Sequence, residues 1–346
     1  MMRTMLLAAV ALGVASEATN RTLNAVSGVD SAGKPELSFT VLQIPDMHYT
    51  GDRNRYCRNP PHEPCGEYNM TAFISELLDH VTPNLVVFTG DQVENIEVTH
   101  TIEEVKGAIA SYALLPMLKQ VPWTMVFGNH DEGASWGRQA MMDYITSLPL
   151  SYSQSGPIGL GGVGNYELEV ASPDSGINFR MYFLDTGYDG VISEKQQNYL
   201  RNRAILHRHT VPAVLFHHIP IPEFNLVSST EPTYGHKGEP VSSGPQCGLL
   251  DTLVAMRDVK ATFVGHDHLN DYCVLRRGVQ LCYGGGVGYG AAYGDPTIAR
   301  SARVIRWKRN STDEVITTWK QEDGDYSKHE YLLYRRAIFS NDATDV

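Results

Sequence analysis

Short hydrophobic runs rich in Val, Ile, Phe and Trp alternate along the chain with stretches in which apolar residues recur at helical spacing. Residues 38–44, 84–89 and 123–127 read as strands, while 71–81, 101–118 and 135–147 carry helical patterns. A period that switches between ~2 and ~3.6 is the signature of βαβ units on a largely buried sheet. The pattern therefore predicts an α/β protein.

Further along, residues 156–164 form a glycine-rich loop, 165–170 and 179–184 read as paired strands, 194–207 as a helix and 213–216 as another strand. The 220–248 segment is rich in Pro, Gly and Ser and is predicted to be irregular. Loops of that length in a compact domain are usually functional, and this one is a candidate cover for a binding rim. Strands at 261–264, 302–307 and 315–319 and a hairpin centred on Arg277-Gly278 complete the pattern. No repeat, low-complexity tract or linker divides the chain, so one domain is expected over 37–320, with a C-terminal tail at 321–346.

The N-terminal run has a different character. Arg3 precedes an apolar stretch from Met5 to Ala15, with small residues at Ala15, Ser16 and Ala18. This is the three-part pattern of a secretory signal peptide, assigned to residues 1–16, and it falls short of the ~20 apolar residues that cross a bilayer. Residues 17–36 are polar and without period, which predicts a flexible arm.

Composition narrows the function classes. The 346 residues include 28 Lys+Arg against 39 Asp+Glu, a net charge of −11. That balance disfavours a nucleic-acid scaffold or a polybasic membrane binder, both of which need clustered cations to meet phosphate. A hydrophobic share of 42% with 19% charged residues disfavours disorder. In a secretory context Asn20, Asn69 and Asn310 open glycosylation sequons. Cys57 and Cys65 bracket a Pro-rich loop, and Cys273 and Cys282 lie symmetrically about Arg277-Gly278, so both pairs are candidate disulfides and Cys247 is left as a free thiol.

The chemistry sits where strands end. Residue Ile44 leads into Asp46-Met-His48, Phe88 into Gly90-Asp91, Phe127 into Gly128-Asn129-His130-Asp131, Phe216 into His217-His218, and Val264 into Gly265-His266-Asp267-His268. A single Asp or His after a strand is most simply a cap or a turn residue. Five in succession, on strands whose carboxyl ends converge on one rim, point to a metal site. Carboxylate, amide oxygen and imidazole together suit Zn, Fe or Mn.

This ordered set resembles the calcineurin-like metallophosphoesterase superfamily, from Leu37 to Trp307. His218-Ile-Pro-Ile-Pro-Glu-Phe224, Gly265-His-Asp-His-Leu-Asn-Asp271 and Leu281-Cys-Tyr-Gly-Gly-Gly286 resemble, more narrowly, its small purple-acid-phosphatase-like branch in plants, fungi and protists. The resemblance implies two packed mixed β-sheets flanked by helices, with a dinuclear metal site on strand-end loops. It implies that Asp46, His48 and His268 hold one ion and Asn129, His218 and His266 the other, with Asp91 bridging. The pair would be two divalent ions, or one trivalent and one divalent, drawn from Fe, Zn and Mn. His130 would stabilise developing charge or protonate the leaving oxygen, with Asp131 orienting its ring. Asn129, His130, His217 and Tyr289 are candidate substrate contacts; His217 shares a V-x-x-H spacing with the strand before it, but the family's His-x-Pro form selects His218 as the ligand.

The implied activity is that of an acid-phosphatase-like phosphomonoesterase acting on phosphate esters, in which a hydroxide held between the two ions attacks. A phosphodiesterase acting on nucleotide or phospholipid headgroup esters, and a non-catalytic binding module on the same fold, are the alternatives. One departure stands out. Purple acid phosphatases carry a metal-binding Tyr three residues after the bridging Asp and Asp-x-Gly in the first motif, whereas this chain has Glu94 and Asp46-Met-His48. A colourless enzyme is therefore expected. A secreted or vacuolar location follows from the leader.

Overall fold

The computed structural model describes residues 22–172, 176–207, 211–228, 230–231 and 233–338. In chain order these form β1 (Leu23–Asn24), β2 (Val26–Val29), β3 (Pro35–Ile44), α1 (Glu67–Val81), β4 (Leu85–Thr89), α2 (Ile102–Leu118) and β5 (Trp123–Val126). Then come α3 (Arg138–Ser147), β6 (Tyr166–Ser172), β7 (Gly176–Phe183), α4 (Glu194–Leu206), β8 (Ala213–Phe216), α5 (Leu249–Met256) and β9 (Val259–Val264). The chain closes with β10 (Cys273–Arg276), β11 (Val279–Tyr283), β12 (Ser301–Asn310), β13 (Asp313–Glu322) and β14 (Tyr331–Ala337).

Two seven-stranded sheets result, one ordered β1-β6-β7-β8-β9-β11-β10 and the other β14-β13-β12-β3-β4-β5 with β2 beside β3. The neighbours β3, β4 and β5 run parallel, as do β7, β8 and β9, because helices cross over between them. Alternation along each strand decides the layers. On β3, Phe39 and Val41 face the other sheet and meet a core that includes Phe179, Phe183, Phe216, Phe263 and Trp307. Leu42 and Ile44 point the opposite way, into a second core with α1 and α2. Tyr182 and Leu215 do the same on the other sheet, beneath α4 and α5. The order of layers is helix, sheet, sheet, helix, as expected from the resemblance.

Local signals placed most elements well. Thr101 caps α2: its hydroxyl accepts the Glu104 backbone N–H and Glu104 reaches back to the Thr101 N–H at 2.7 Å. Both expected disulfides form, Cys57–Cys65 and Cys273–Cys282, the second between directly opposed residues of the β10–β11 hairpin. Cys247 is free and half-buried.

Two expectations fail. The described part of the segment expected to be a loose arm pairs instead: β1 lies parallel to β6 and β2 antiparallel to β3. Val26 and Val29 stay exposed, so backbone pairing orders this segment and leaves no apolar period to read. The tail likewise contains β14, which pairs with β13 while burying little beyond Leu333 and Ile338. Helix α5, with Leu249, Leu250, Leu253 and Met256 buried, follows directly on the 220–248 segment, in a stretch that the sequence pattern left unassigned.

The assigned signal peptide and Asn20 lie outside the described residues. Asn69 accepts the Gly66 N–H at the start of α1, and the Asn310 side chain bonds Asp30 and the turn into β13. Among the described residues no helix is long and apolar enough to cross a membrane.

Trp307 is fully buried, stacks on Phe179 at 5.9 Å and donates to Glu314 at 3.1 Å. Trp307→Ala is expected to cost about 3–5 kcal/mol in denaturant unfolding with the disulfides intact. A loss below about 1 kcal/mol would contradict this account of the inter-sheet core.

Candidate metal centre

The carboxyl ends of β3, β4 and β5 in one sheet meet those of β8 and β9 in the other, and the five motifs follow directly on these strands. Loop backbone and ligand side chains approach so closely that two positions admit only glycine. A Cβ on Gly90 would lie 2.1 Å from the His218 ring, and one on Gly128 would lie 2.1 Å from Asp91 Oδ1. Four of the functional residues themselves have left-handed backbones: Asp46 (φ 52°), His48 (φ 51°), Asp91 (φ 53°) and His266 (φ 78°). For residues with a Cβ such conformations each cost on the order of 1–3 kcal/mol, and such strain concentrates at functional sites.

All seven expected metal-site residues come together. Asp91 Oδ2 lies 3.2 Å from His218 Nε2 and 3.5 Å from His48 Nε2. Asp46 Oδ1 lies 3.7 Å from His268 Nε2, and Asn129 Oδ1 is 3.1 Å from His218 Nε2. Two triads, Asp46-His48-His268 and Asp91-His218-His266, each converge tightly enough to hold an ion.

The outer nitrogens fix which inner nitrogens are free. His48 Nδ1 donates to Glu94 at 2.8 Å, His268 Nδ1 to the Tyr293 carbonyl at 3.0 Å, and His218 Nδ1 to the Thr89 carbonyl at 2.9 Å. In each neutral ring the proton is thereby held outside and the lone pair turned inside. Yet His48 Nε2 and His268 Nε2 face each other at 3.2 Å, and His266 Nδ1 faces His218 Nε2 at 3.3 Å. For His48 and His268, whose protons are held outside, the inner lone pairs oppose one another and repel unless a cation stands at their focus. The carboxylates add to this demand: burial alone would depress His218, but Asp91 and Asp46 lift it to about 9, and a field that draws a proton onto an imidazole also favours a metal ion. The donor set fits the implied pair of metals.

His130 lies beside this set, with its N–H donating to Asp91 Oδ1 at 2.7 Å. The expected partner for its ring is wrong. Asp131 turns both oxygens to backbone, accepting the N–H groups of Asp91, Val93 and Gly128, so it braces two loops and leaves the ring alone. Glu94 holds the ring instead, at 2.9 Å from His130 Nδ1, while also bonding His48. Burial opposes ionisation of Glu94, but its bonds to His130 and His48 prevail and hold the carboxyl well below the usual carboxylate range.

Two expected substrate contacts are absent from the pocket. His217 is fully buried, donates from Nδ1 to the Ile219 carbonyl at 2.9 Å, and is pushed down to about 4 by burial. Tyr289 is also fully buried and donates to Asp323. The cavity over the histidines, about 250 Å³, is lined instead by residues that include Arg58, Glu97, Ser242 and Tyr293. Ser242 arrives on the 220–248 loop, which runs along the His266-Asp267-His268 turn: Asn270 accepts the Gly238 and Glu239 N–H groups and Asp267 that of Ser242. Tyr293 stacks on His268 at 3.9 Å between ring centroids. Of these residues Glu94 carried a sequence signal in its spacing from Asp91, and Ser242 in lying on the long loop expected to cover the rim.

A carboxylate–imidazole–amide pocket on the strand ends of a helix-flanked double sheet defines the class as dinuclear metallophosphoesterases. The profile of the calcineurin-like phosphoesterases matches residues 39–270, and the chain belongs to that family. A protein of Arabidopsis thaliana named probable inactive purple acid phosphatase 29 is 32% identical over 88% of this chain and 87% of its own length. The Saccharomyces cerevisiae protein named phosphatase DCR2 is 30% identical over 84% of this chain and 54% of its own. A crystal structure of a dimetal phosphatase from Danio rerio shares the fold, with a TM-score of 0.56 at 16% identity over 84% of this chain and 99% of that one.

Because Glu94 orients His48 from behind, Glu94→Ala is expected to weaken metal retention by about 10–100-fold, read as metal-to-protein ratio after dialysis against graded chelator. Retention equal to wild type would remove that role.

Proposed function

We propose that this protein is a metal-dependent phosphomonoesterase. The observation that carries the reading is the convergence of two triads, Asp46-His48-His268 and Asp91-His218-His266, on the floor of a cavity, each with ligand atoms close enough to share one cation. Asp46, His48 and His268 would hold one ion, Asn129, His218 and His266 the other, and Asp91 would serve both. Bound there, such ions supply Lewis acidity toward the ester oxygens and toward water. With two ligand carboxylates against two multivalent cations, the pocket floor is positive on an acidic chain and attracts a phosphate dianion.

His130 is placed to finish the reaction. Its Nδ1–H is committed to Glu94; burial opposes a charged ring, but that bond and the Asp91 charge raise its pKa, and the imidazolium so favoured donates from Nε2 to a phosphoryl oxygen or to the departing alkoxide. It is also only partly buried, so a substrate can reach it. Positioning by Glu94 keeps the ring upright without a further catalytic group. Asp131 contributes by holding Gly128 and Asp91 at a fixed spacing.

Glu94 in place of a phenolate ligand supports a centre without a tyrosinate-to-iron charge-transfer band. Two disulfides and the leader pattern support passage through the secretory pathway, with Asn69 and Asn310 as glycan acceptors and a secreted or vacuolar destination. The word inactive in the names of Arabidopsis relatives makes a non-catalytic binding role the competing reading; the complete ligand set and the partly exposed His130 of this chain argue against it.

Metal-replete protein is expected to release phosphate from p-nitrophenyl phosphate in preference to bis(p-nitrophenyl) phosphate and to show no phenolate band in the visible. Preference for the diester would make it a phosphodiesterase, and turnover of neither with Zn, Mn or Fe supplied would make it a binding module. His130→Ala is expected to keep its metal and lose about 10²–10⁴ in kcat; unchanged turnover would strike His130 from the mechanism.

A further inference from the structure

The metal ligands and His130 account for the phosphoryl group, but the mouth of the cavity holds a cation that this chemistry does not use. Arg58 immediately follows Cys57, and the Cys57–Cys65 disulfide closes the loop on which it sits. That loop is docked rather than draped. The Arg58 N–H donates to the Gly290 carbonyl at 3.1 Å, and the Gly290 N–H reaches Cys57 Sγ at 3.3 Å. The glycine-rich run that receives it is itself tied to the first metal-site loop, through the Val287 N–H and the Pro45 carbonyl at 3.2 Å. The base of Arg58 is therefore fixed relative to the metal ligands.

Its head group is tied to the stretch that holds the His130 ring. Arg58 Nη1 donates to both Glu97 oxygens, at 2.9 and 3.0 Å. Glu97 belongs to the turn whose N–H groups at Ile96 and Glu97 are gathered by Glu94, and Glu94 holds the His130 ring. The Asn95 N–H also donates to the His130 carbonyl at 3.0 Å. One short stretch thus runs from the proposed proton donor to the guanidinium.

Arg58 is the one lysine or arginine among the described residues lining this cavity. Its side chain is 48% exposed and that of Glu97 45%, so their pairing is a surface ion pair worth little in water and open to exchange. Among the described residues its side-chain hydrogen bonds all come from Nη1, to Glu97 and at 3.5 Å to the Ala291 carbonyl. Nε and Nη2 remain as donors for an oxyanion.

We propose that Arg58 is a specificity-determining residue that binds a carboxylate or phosphate oxyanion on the leaving group, so that this enzyme prefers phosphomonoesters whose alcohol or phenol part carries its own negative charge. The inference rests on the phosphomonoesterase reading above. Glu97 is the counterpart of the device: it holds the guanidinium at the rim when no substrate is present and competes with the incoming anion.

The test compares 4-carboxyphenyl phosphate with phenyl phosphate on full-length, metal-loaded protein, as the ratio of their kcat/KM values. Differences in leaving-group basicity and in metal loading cancel when this ratio is compared between variants. Arg58→Ala is expected to lower the ratio about 5–10-fold, and Glu97→Gln to raise it about 2–5-fold by freeing the guanidinium. The wild-type ratio should also fall as salt rises from about 0.05 to 0.5 M, because the contact is exposed. A loop that merely lost its shape would not move the two variants in opposite directions. An unchanged ratio in Arg58→Ala, or a fall in both variants, overturns the proposal while leaving the parent reading intact. Wild-type protein that hydrolyses neither ester overturns both.

Discussion

The Asp91 carboxylate is the interaction on which the rest of the site depends. Its Oδ2 lies within reach of His48, carried by one sheet, and of His218, carried by the other, while Oδ1 accepts the His130 N–H. Its own N–H is taken by Asp131 and its carbonyl by the His48 N–H. One residue at the end of β4 therefore sets the separation of both ligand groups and the height of the proposed acid above them. Burying such a charge is expensive unless every lone pair is used. The neighbouring loops can be understood as the means of using them.

That requirement explains why the backbone is unusual here. Four side chains that bear ligand atoms adopt left-handed conformations, and glycines stand where a methyl group would strike an imidazole or a carboxylate. The strain is offset by the large inter-sheet core directly beneath, in which Phe183, Phe216 and Phe263 stack in a row at 5.4–5.5 Å. A rigid floor allows a polar rim to be held in a geometry it would not adopt by itself. Glu94 extends the same logic: a carboxylate that replaces a metal-binding phenol no longer needs to touch metal, and instead aligns one ligand and one acid from behind.

Much of this was legible in the chain because metal ligands on strand-end loops are local strings. Gly90-Asp91, Gly128-Asn129-His130 and Gly265-His266-Asp267-His268 each follow an apolar run by a residue or two, so strand and ligand are read together. What was not legible depended on distance or on missing contrast. The link from Glu94 to His130 spans 36 residues, and adjacency favoured Asp131, whose oxygens go to backbone. The His-x-Pro form singled out His218 from its neighbour, but that His217 turns wholly into the core, out of reach of substrate, is visible only in the fold. Strands β1, β2 and β14 bury almost nothing, so no hydrophobic alternation announces them.

The last of these strands has a consequence beyond its own packing. By pairing along most of β13, β14 occupies backbone donors and acceptors that would otherwise form an open ladder at the margin of the sheet. It finishes that sheet with Arg335 and Arg336 on the outermost strand, where exposed charge discourages another chain from adding to it. A segment that reads as a tail is thus the margin of the sheet, and what that margin presents to solvent is charge.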